Sequence, residues 1–227
     1  MTRNTNARIA GFTFLFYIAV GVTSLILFGQ AASGTGIAEK LAGVSAHATS
    51  VRITVLLGLL ASFSALVLAV TLYAITREED PDLAMLGLAC RLGESLVGAS
   101  GPTTLGLLWL SRATGANTPD TAAAHALGAF LLQVGAWTSL TSATFFAVGS
   151  TIFSWLLLRG RMIPITLAWL GVVASALLVV LLPLQLAGFL SGPVTSFMWL
   201  PMLAFEVPLA LWLLVKGVAP PARRQSA

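Results

Sequence analysis

Six long apolar stretches alternate along the chain with short segments rich in polar residues, Gly and Pro. The apolar stretches lie at about 9–30, 51–75, 83–110, 136–158, 163–188 and 196–215. Each has about 20–28 residues, and a helix of that length crosses a hydrocarbon core of roughly 30 Å. The pattern predicts an all-α fold. We expect an integral membrane six-helix bundle in which residues 1–227 form a single transmembrane domain.

The composition favours a membrane protein over a soluble one. Hydrophobic residues make up 57% of the chain, charged residues 9%, and the mean hydropathy is +0.94, whereas soluble domains carry about 25% charged residues. The lipid bilayer is therefore the first expected partner. The net charge of +4 does not indicate nucleic acid, because the basic residues lie mainly at helix ends. The single cysteine, Cys90, excludes an internal disulfide and a cysteine-cluster metal site, and we predict no metal and no cofactor.

The distribution of basic residues predicts the orientation. Six spans place both termini and two connections on one side, with eight of the twelve Lys and Arg residues: Arg3, Arg8, Arg77, Arg159, Arg161, Lys216, Arg223 and Arg224. The opposite side has Lys40, Arg52 and Arg112. By the positive-inside rule, both termini are cytoplasmic, and we expect the bacterial inner (plasma) membrane. The first apolar run is longer than that of a typical signal peptide, so we expect it to be retained as a span.

The segment before the fourth apolar stretch allows two interpretations. Thr121 to Arg159 has no strong break and is too long for a single crossing. Within 127–134, apolar residues recur at the spacing of one helical face. The segment at 121–135 is either a short interfacial helix on the outer surface before the fourth span or the first part of a fourth helix that protrudes into water.

Four segments along the chain resemble those of one bacterial membrane-protein family. They are ARIAGFTFLFYIAVGV at 7–22, RLGES at 91–95, LLLRGRMIPITLAWLGV at 156–172 and FEVPLALWLLVKGV at 205–218. By their order and spacing the chain is similar to domain-of-unknown-function family 4386 of multi-pass membrane proteins, over nearly its whole length. The family name implies no activity. The resemblance implies six membrane helices, with Arg91, Glu94 and Glu206 at recurrent charged positions, and the stretch around 113–135 departs from the pattern expected of the family.

Three ionisable residues fall inside predicted spans. Counted from the predicted cytoplasmic boundary, Arg91 lies about 12 Å deep, Glu94 about 16 Å and Glu206 about 15 Å. Arg91 and Glu94 share one helical face, so all three meet if the third and sixth helices pack together. An ionised group at the bilayer centre costs at least roughly 2.5–3.5 kcal/mol. We therefore expect one of Glu94 and Glu206 to be protonated near neutral pH while the other pairs with Arg91.

Prolines near the carboxyls predict weakened helices and a polar cavity that opens to the outside. Pro201 and Pro208 flank Glu206, and Pro102 follows Glu94. Each proline removes a backbone hydrogen bond, and the freed carbonyls need partners or a wet cavity at membrane depth. Polar residues near the expected mouth either line the cavity or serve helix packing. They are Gln133, Thr138, Ser139, Thr141, Ser142 and Thr144.

Other candidate residues carry weaker signals. Arg52, at the outer start of the second span, either meets an anionic ligand or extends to lipid headgroups, and we keep Arg52 and Gln133 as candidate ligand-binding residues. His47 and His125 both fall near the outer surface, but two histidines without a third ligand do not indicate a metal or haem site. The sequence has no GxSxG, P-loop or HExxH motif, which excludes standard hydrolases and ATP-driven pumps.

Three functional hypotheses remain open. The first is a protein that handles a small solute or proton around Arg91, Glu94 and Glu206, since midplane charges beside proline-interrupted helices are typical of transporters; a homodimer would compensate for the short chain. The second is an intramembrane enzyme on a lipid or isoprenoid, with Glu94 and Glu206 as candidate catalytic residues and Arg91 orienting an anionic headgroup. The third is a structural or sensor subunit, in which the charges only fix helix register.

The shape of the cavity beside these charges should discriminate among the hypotheses. A closed apolar pocket with a lateral opening favours the enzyme. A polar path to both surfaces favours transport, and tight packing favours the structural role.

Overall fold

The computed structural model describes residues 2–99, 101–113 and 121–219. Within these ranges the chain forms nine helices and no strand, which confirms the all-α prediction. The helices are α1 (Arg3–Ala31), α2 (Ile37–Ala46), α3 (Ala48–Thr76), α4 (Pro81–Val97), α5 (Gly101–Ala113), α6 (Thr121–Arg159), α7 (Ile165–Leu186), α8 (Val194–Phe197) and α9 (Leu200–Val215).

Six helical segments in the described part of the chain are long and apolar enough to cross a membrane. They are α1, α3, the α4–α5 segment, α6, α7 and the α8–α9 segment. Large apolar side chains such as Phe12, Leu25 and Phe63 are exposed on the outside of the bundle, which suits lipid rather than water. The predicted number of spans is confirmed. Six segments of this length and hydropathy are what a multi-pass membrane protein is expected to have.

The third predicted span is two helices instead of one. α4 ends at Val97 and α5 begins at Gly101, so the helix expected over 83–110 is interrupted. The Gly98 N–H closes α4 by bonding the Glu94 carbonyl at 2.8 Å. Pro102 then lies in the first turn of α5, where its missing N–H costs nothing. The break places the end of α4 just beyond Glu94.

The last predicted span also divides, into α8 and α9. Pro201 lies in the first turn of α9, a position that suits proline, and the predicted weakening of this span agrees with the interruption just before it, between α8 and α9. Pro208 does lie inside α9. Its missing N–H leaves the Ala204 carbonyl without the usual intrahelical donor, two residues from Glu206.

The segment before the fourth apolar stretch belongs to one continuous helix. α6 runs through 39 residues without a break, roughly 58 Å of helix. The structure therefore agrees with the second interpretation in that residues 121–135 are the first part of the fourth helix. That this part protrudes into water stays a prediction. Neither Gly128 nor Gly135 interrupts α6, and no proline occurs in it.

An additional helix, α2, forms in a segment predicted only as a break. The chain turns at Gly34, whose φ of 136° suits glycine. Glu39 in the first turn of α2 then accepts hydrogen bonds from the Thr35 backbone N–H at 2.9 Å and the Thr35 hydroxyl at 3.2 Å, much as in a capping box. These bonds, the backbone one first, hold the pKa of the Glu39 carboxyl below its usual value.

Helix packing differs from the expected pairing. α1 packs along α3 and α9, α4 packs against α6 and α3, and α6 packs against α7. α4 and α9 make little or no direct contact within the described ranges. The predicted packing of the third span against the sixth is therefore not observed; a cavity separates α4 from α9 instead.

The two ends of the described chain lie at the same end of the bundle. Asn4 Oδ1 accepts a hydrogen bond from the Val218 N–H at 3.4 Å, and Arg3 Nε donates to the Ile75 carbonyl at 3.0 Å. This end carries most of the basic residues, although Arg223 and Arg224 lie outside the described residues. That it faces the cytoplasm stays a prediction.

Candidate functional site

Arg91 and Glu94 form a buried ion pair on α4. They lie three residues apart, and 1% and 3% of their surfaces are exposed. Arg91 Nη1 lies 2.7 Å from Glu94 Oε2. The contact lacks hydrogen-bond alignment, because none of the Arg91 side-chain nitrogens has a hydrogen-bond partner within the described residues. The pair is thus held mainly by charge attraction, which is strong in an apolar interior.

Helix α6 shapes the space that Arg91 occupies. A Cβ atom at Gly149 would lie 3.1 Å from Arg91 Cγ, so a larger residue there would press on the arginine side chain. The guanidinium carbon lies 5.0 Å from the centroid of the Phe146 ring, a cation–π contact. Gly149 and Phe146 together hold Arg91 beside Glu94.

Tyr17 of α1 completes this arrangement. Its hydroxyl donates a hydrogen bond to Glu94 Oε1 at 2.8 Å, so one carboxyl oxygen contacts Arg91 and the other contacts Tyr17. The sequence analysis missed Tyr17. The available signal was a tyrosine inside an apolar stretch, where a hydroxyl needs an internal partner.

Replacing Tyr17 with phenylalanine should lower the free energy of unfolding by about 1.5–3 kcal/mol, the usual contribution of a hydrogen bond to a charged group. Chemical unfolding of the purified protein in detergent measures this change. Tyr73→Phe, at the other tyrosine of the chain, is the control, because Tyr73 neither bonds Glu94 nor lines its cavity. Equal losses in the two variants would mean that the bond to Glu94 contributes nothing specific.

Glu206 of α9 lies apart from the ion pair. It is 7% exposed, and its Oε1 atom has no hydrogen-bond partner in the described part of the chain. No ion pair joins it to Arg91 within those residues. The expectation that the three groups meet is therefore not met. Arg91 pairs with the carboxyl on its own helix, because α9 is not packed against α4.

Glu94 and Glu206 nevertheless line the same cavity, of about 260 Å³. Its walls come from α1, α4, α6 and α9 and from Trp199, just before α9. Near the end of α4, the Ser142 hydroxyl donates a hydrogen bond to the backbone carbonyl of Glu94 at 2.9 Å. The other lining side chains include Tyr17, Ser139, Phe146 and Trp199.

A second cavity, of about 440 Å³, adjoins the first on the side away from the termini. It lies among α1, α3, α5 and α6, and Ser139 lines both cavities. On the opposite side, Glu206 borders a space of only about 10 Å³ beside Phe14, Phe153 and Leu157, roughly the room of one water. Open volume therefore lies on one side of Glu206, and apolar side chains close the other.

The remaining predicted residues lie elsewhere. Arg52 and Gln133 are exposed on α3 and α6, and neither lines these two cavities. Thr141 and Thr144 line a separate cavity of about 250 Å³ beside Cys90, and their hydroxyls bond carbonyls of their own helix at 2.9 Å. Ser139 and Ser142 are thus the two predicted polar residues that reach the carboxyls' cavity, while Thr138 lines none of these three.

The histidines occupy two different places at the far end of the bundle. His47 Nδ1 lies 3.0 Å from the Gly43 carbonyl of its own turn. His125 borders a surface recess of about 610 Å³ together with Arg112. Within the described ranges, no group of three His, Cys, Asp or Glu residues is placed to hold a metal ion.

Comparison with known proteins identifies the family of the chain and no individual relative. No curated protein and no solved structure matches it. Residues 9–217 match the family described as "Domain of unknown function (DUF4386)". The match begins in α1 and ends just beyond α9, so it includes Tyr17, Arg91, Glu94 and Glu206. Because it covers most of the chain, this protein belongs to the DUF4386 family.

Proposed function

We propose that this protein binds a small solute, or takes up and releases a proton, at Glu206. The observation that carries the proposal is the Oε1 atom of Glu206, which is buried without a hydrogen-bond partner among the described residues, on a side chain that lines a cavity. An unpaired buried acceptor costs about 1–3 kcal/mol. A bound proton or ligand would remove that cost.

The balance of charges around Glu206 supports a proton or a ligand that binds there reversibly. Arg91 forms its ion pair with Glu94, and no ion pair joins Glu206 to a basic residue in the described part of the chain, although Arg91 lies near enough to attract its carboxylate. An ionised, unpaired carboxyl at membrane depth is costly, at least roughly 2.5–3.5 kcal/mol. Glu206 therefore either carries a proton or faces a cation, and exchange between these two states would couple solute binding to proton release.

The shape of the surrounding space argues against a purely structural role, although it is not the polar path to both surfaces expected of a transporter. A charged group that only fixes helix register is best served by tight packing, whereas Glu206 borders open volume. The larger cavity lies away from the termini, and apolar side chains close the side toward them. With both termini in the cytoplasm, this form would be open to the outside and closed to the inside, as one state of an alternating-access protein.

The burial of Arg91 argues against the lipid-processing enzyme. That hypothesis requires Arg91 to orient an anionic headgroup, but Arg91 is 1% exposed and does not line the cavity. Its guanidinium group is held between Glu94 and Phe146. A headgroup in the cavity would meet two carboxyls instead.

Thermal unfolding of two isosteric variants in detergent tests the proposal. Glu206→Gln should leave the melting temperature unchanged or raise it, because it replaces an unpaired carboxyl with a neutral amide of the same shape. Glu94→Gln should lower it, because Arg91 then loses the charge that neutralises it. If both variants lose the same stability, Glu206 is a structural group and the proposal is wrong.

Infrared spectroscopy tests the proton state directly. We expect the solute-free wild-type protein to show the carbonyl band of a protonated carboxyl that Glu206→Gln lacks and Glu39→Gln keeps, since Glu39 is exposed on α2. If the band is unchanged in Glu206→Gln, Glu206 carries no proton in the solute-free protein and proton exchange there is excluded.

A further inference from the structure

We infer that the cavity beside Glu206 binds a small organic cation, such as a substituted ammonium ion. This inference rests on the function proposed above and names the chemical class of its solute. Four features of the cavity support it: the sign of its charge, the chemistry of its walls, its size and the space that adjoins it.

The charge of the walls selects a cation. Glu94 and Glu206 line the cavity, and no Lys or Arg does so among the described residues. Arg91 and Tyr17 both contact Glu94, so Glu206 is the carboxyl without an ion-pair partner among the described residues, and Arg91 attracts it only from a longer distance. A small anion would be repelled there, whereas a cation would supply the missing partner of the buried Oε1 atom.

Aromatic side chains form the second part of the walls. Phe146 and Trp199 lie side by side, with ring centroids 6.4 Å apart and planes inclined by 35°, and Tyr17 contributes a third ring to the lining. Aromatic faces attract cations, and cages of such rings recognise methylated and quaternary ammonium groups. Phe146 already has Arg91 on its ring, so Trp199 and Tyr17 are the rings available to a ligand.

The size of the cavity favours a small organic ion over a bare metal ion. Its volume of about 260 Å³ is many times the roughly 10–15 Å³ that holds one water and lies just below the roughly 300 Å³ at which drug-sized pockets begin. Hard metal cations prefer about six or more oxygen ligands around them, but much of this wall is aromatic carbon. In a substituted ammonium ion, the charged nitrogen can face the carboxyl of Glu206 while its carbon substituents contact the aromatic rings.

The adjoining cavity of about 440 Å³ offers room for an apolar substituent. Its lining combines small residues such as Gly58, Ala61 and Gly135 with apolar ones such as Leu57 and Leu132. An ammonium group beside Glu206 could therefore carry a hydrocarbon portion past Ser139, which borders both cavities.

Calorimetry and thermal unfolding in detergent test the inference with charged and uncharged probes of one shape. Choline and butylammonium are compared with uncharged analogues of the same size, dimethylbutanol and butanol, and with sodium chloride at equal ionic strength. We expect at least one of the two cations to bind and raise the melting temperature, while the alcohols and sodium do not. Affinity should fall at least about tenfold in Glu206→Gln and also fall in Trp199→Leu, but stay unchanged in Glu39→Gln.

Several outcomes would overturn the inference. The inference fails if neither cation binds, if an alcohol binds as tightly as its charged analogue, if sodium stabilises the protein equally, or if Glu206→Gln retains full affinity. If Glu206→Gln is as stable as the wild type and neither cation binds, the solute class is wrong while the proposed role of Glu206 stands. If Glu206→Gln and Glu94→Gln are equally destabilised, the proposed function fails as well.

Discussion

Replacing Arg91 with glutamine is expected to lower the free energy of unfolding by about 3–5 kcal/mol, the usual cost of removing one partner from a buried ion pair. Glu94, which is 3% exposed, would keep the Tyr17 hydroxyl but lose the positive charge 2.7 Å away. The change also removes the guanidinium group that lies against Phe146. Chemical unfolding in detergent measures the loss.

The same substitution at an exposed ion pair is the matched control. Arg159 Nη1 lies 3.1 Å from Asp80 Oδ2, with side chains 39% and 27% exposed, and such pairs contribute about 0–1 kcal/mol. Arg159→Gln should therefore cost little. Combining Arg91→Met with Glu94→Gln should recover part of the loss, since neither of these two residues then carries a charge. An Arg91→Gln variant as stable as Arg159→Gln would show that the buried pair contributes nothing.

Gly11 is the second position where we expect a large effect. A Cβ atom at Gly11 would lie 2.5 Å from the Ala210 carbonyl oxygen and 2.6 Å from the Leu214 nitrogen. Both are backbone atoms of α9, so they cannot rotate away as a side chain could. Gly11→Ala should force α1 and α9 apart and cost about 1–3 kcal/mol, the range for overpacked sites, and Gly11→Leu should cost more.

Gly21, on the same helix, is the control for Gly11. Nothing lies within 4 Å of a Cβ atom built there, so Gly21→Ala should be neutral or should stabilise the helix by about 0.5–1 kcal/mol. Because α9 carries Glu206, a displaced α9 should also reduce cation binding in Gly11→Ala. Similar stabilities for the alanine variants at Gly11 and Gly21 would mean that α1 and α9 do not need this close contact.

Sequence patterning predicted the spans because lipid imposes a simple rule on each stretch separately. A segment must be apolar and long enough to cross the bilayer with its backbone bonded internally, and this can be judged without knowing its neighbours. The rule fails where local turn chemistry matters. It missed α2, whose Glu39 bonds Thr35. For the third span it predicted a weak point at Pro102 but not a complete break between α4 and α5.

The sequence also identified Arg91, Glu94 and Glu206, because ionisable residues inside apolar stretches are rare and costly. Their partners depend on distant parts of the chain. Tyr17 reaches Glu94 across 77 positions, which no local pattern reveals.

The amino-acid sequence by itself therefore determined that the protein is a helical membrane protein with charged groups inside its spans, since length, hydropathy and charge are properties of single segments. The tertiary structure decided that Arg91 pairs with Glu94, that Glu206 Oε1 has no hydrogen-bond partner among the described residues, and that a cavity lies between α4 and α9. Helix neighbours are set by close contacts such as Gly11 with α9 and Gly149 with Arg91. Such contacts depend on the shapes of two helix surfaces at once, and the order of residues along either helix does not show them.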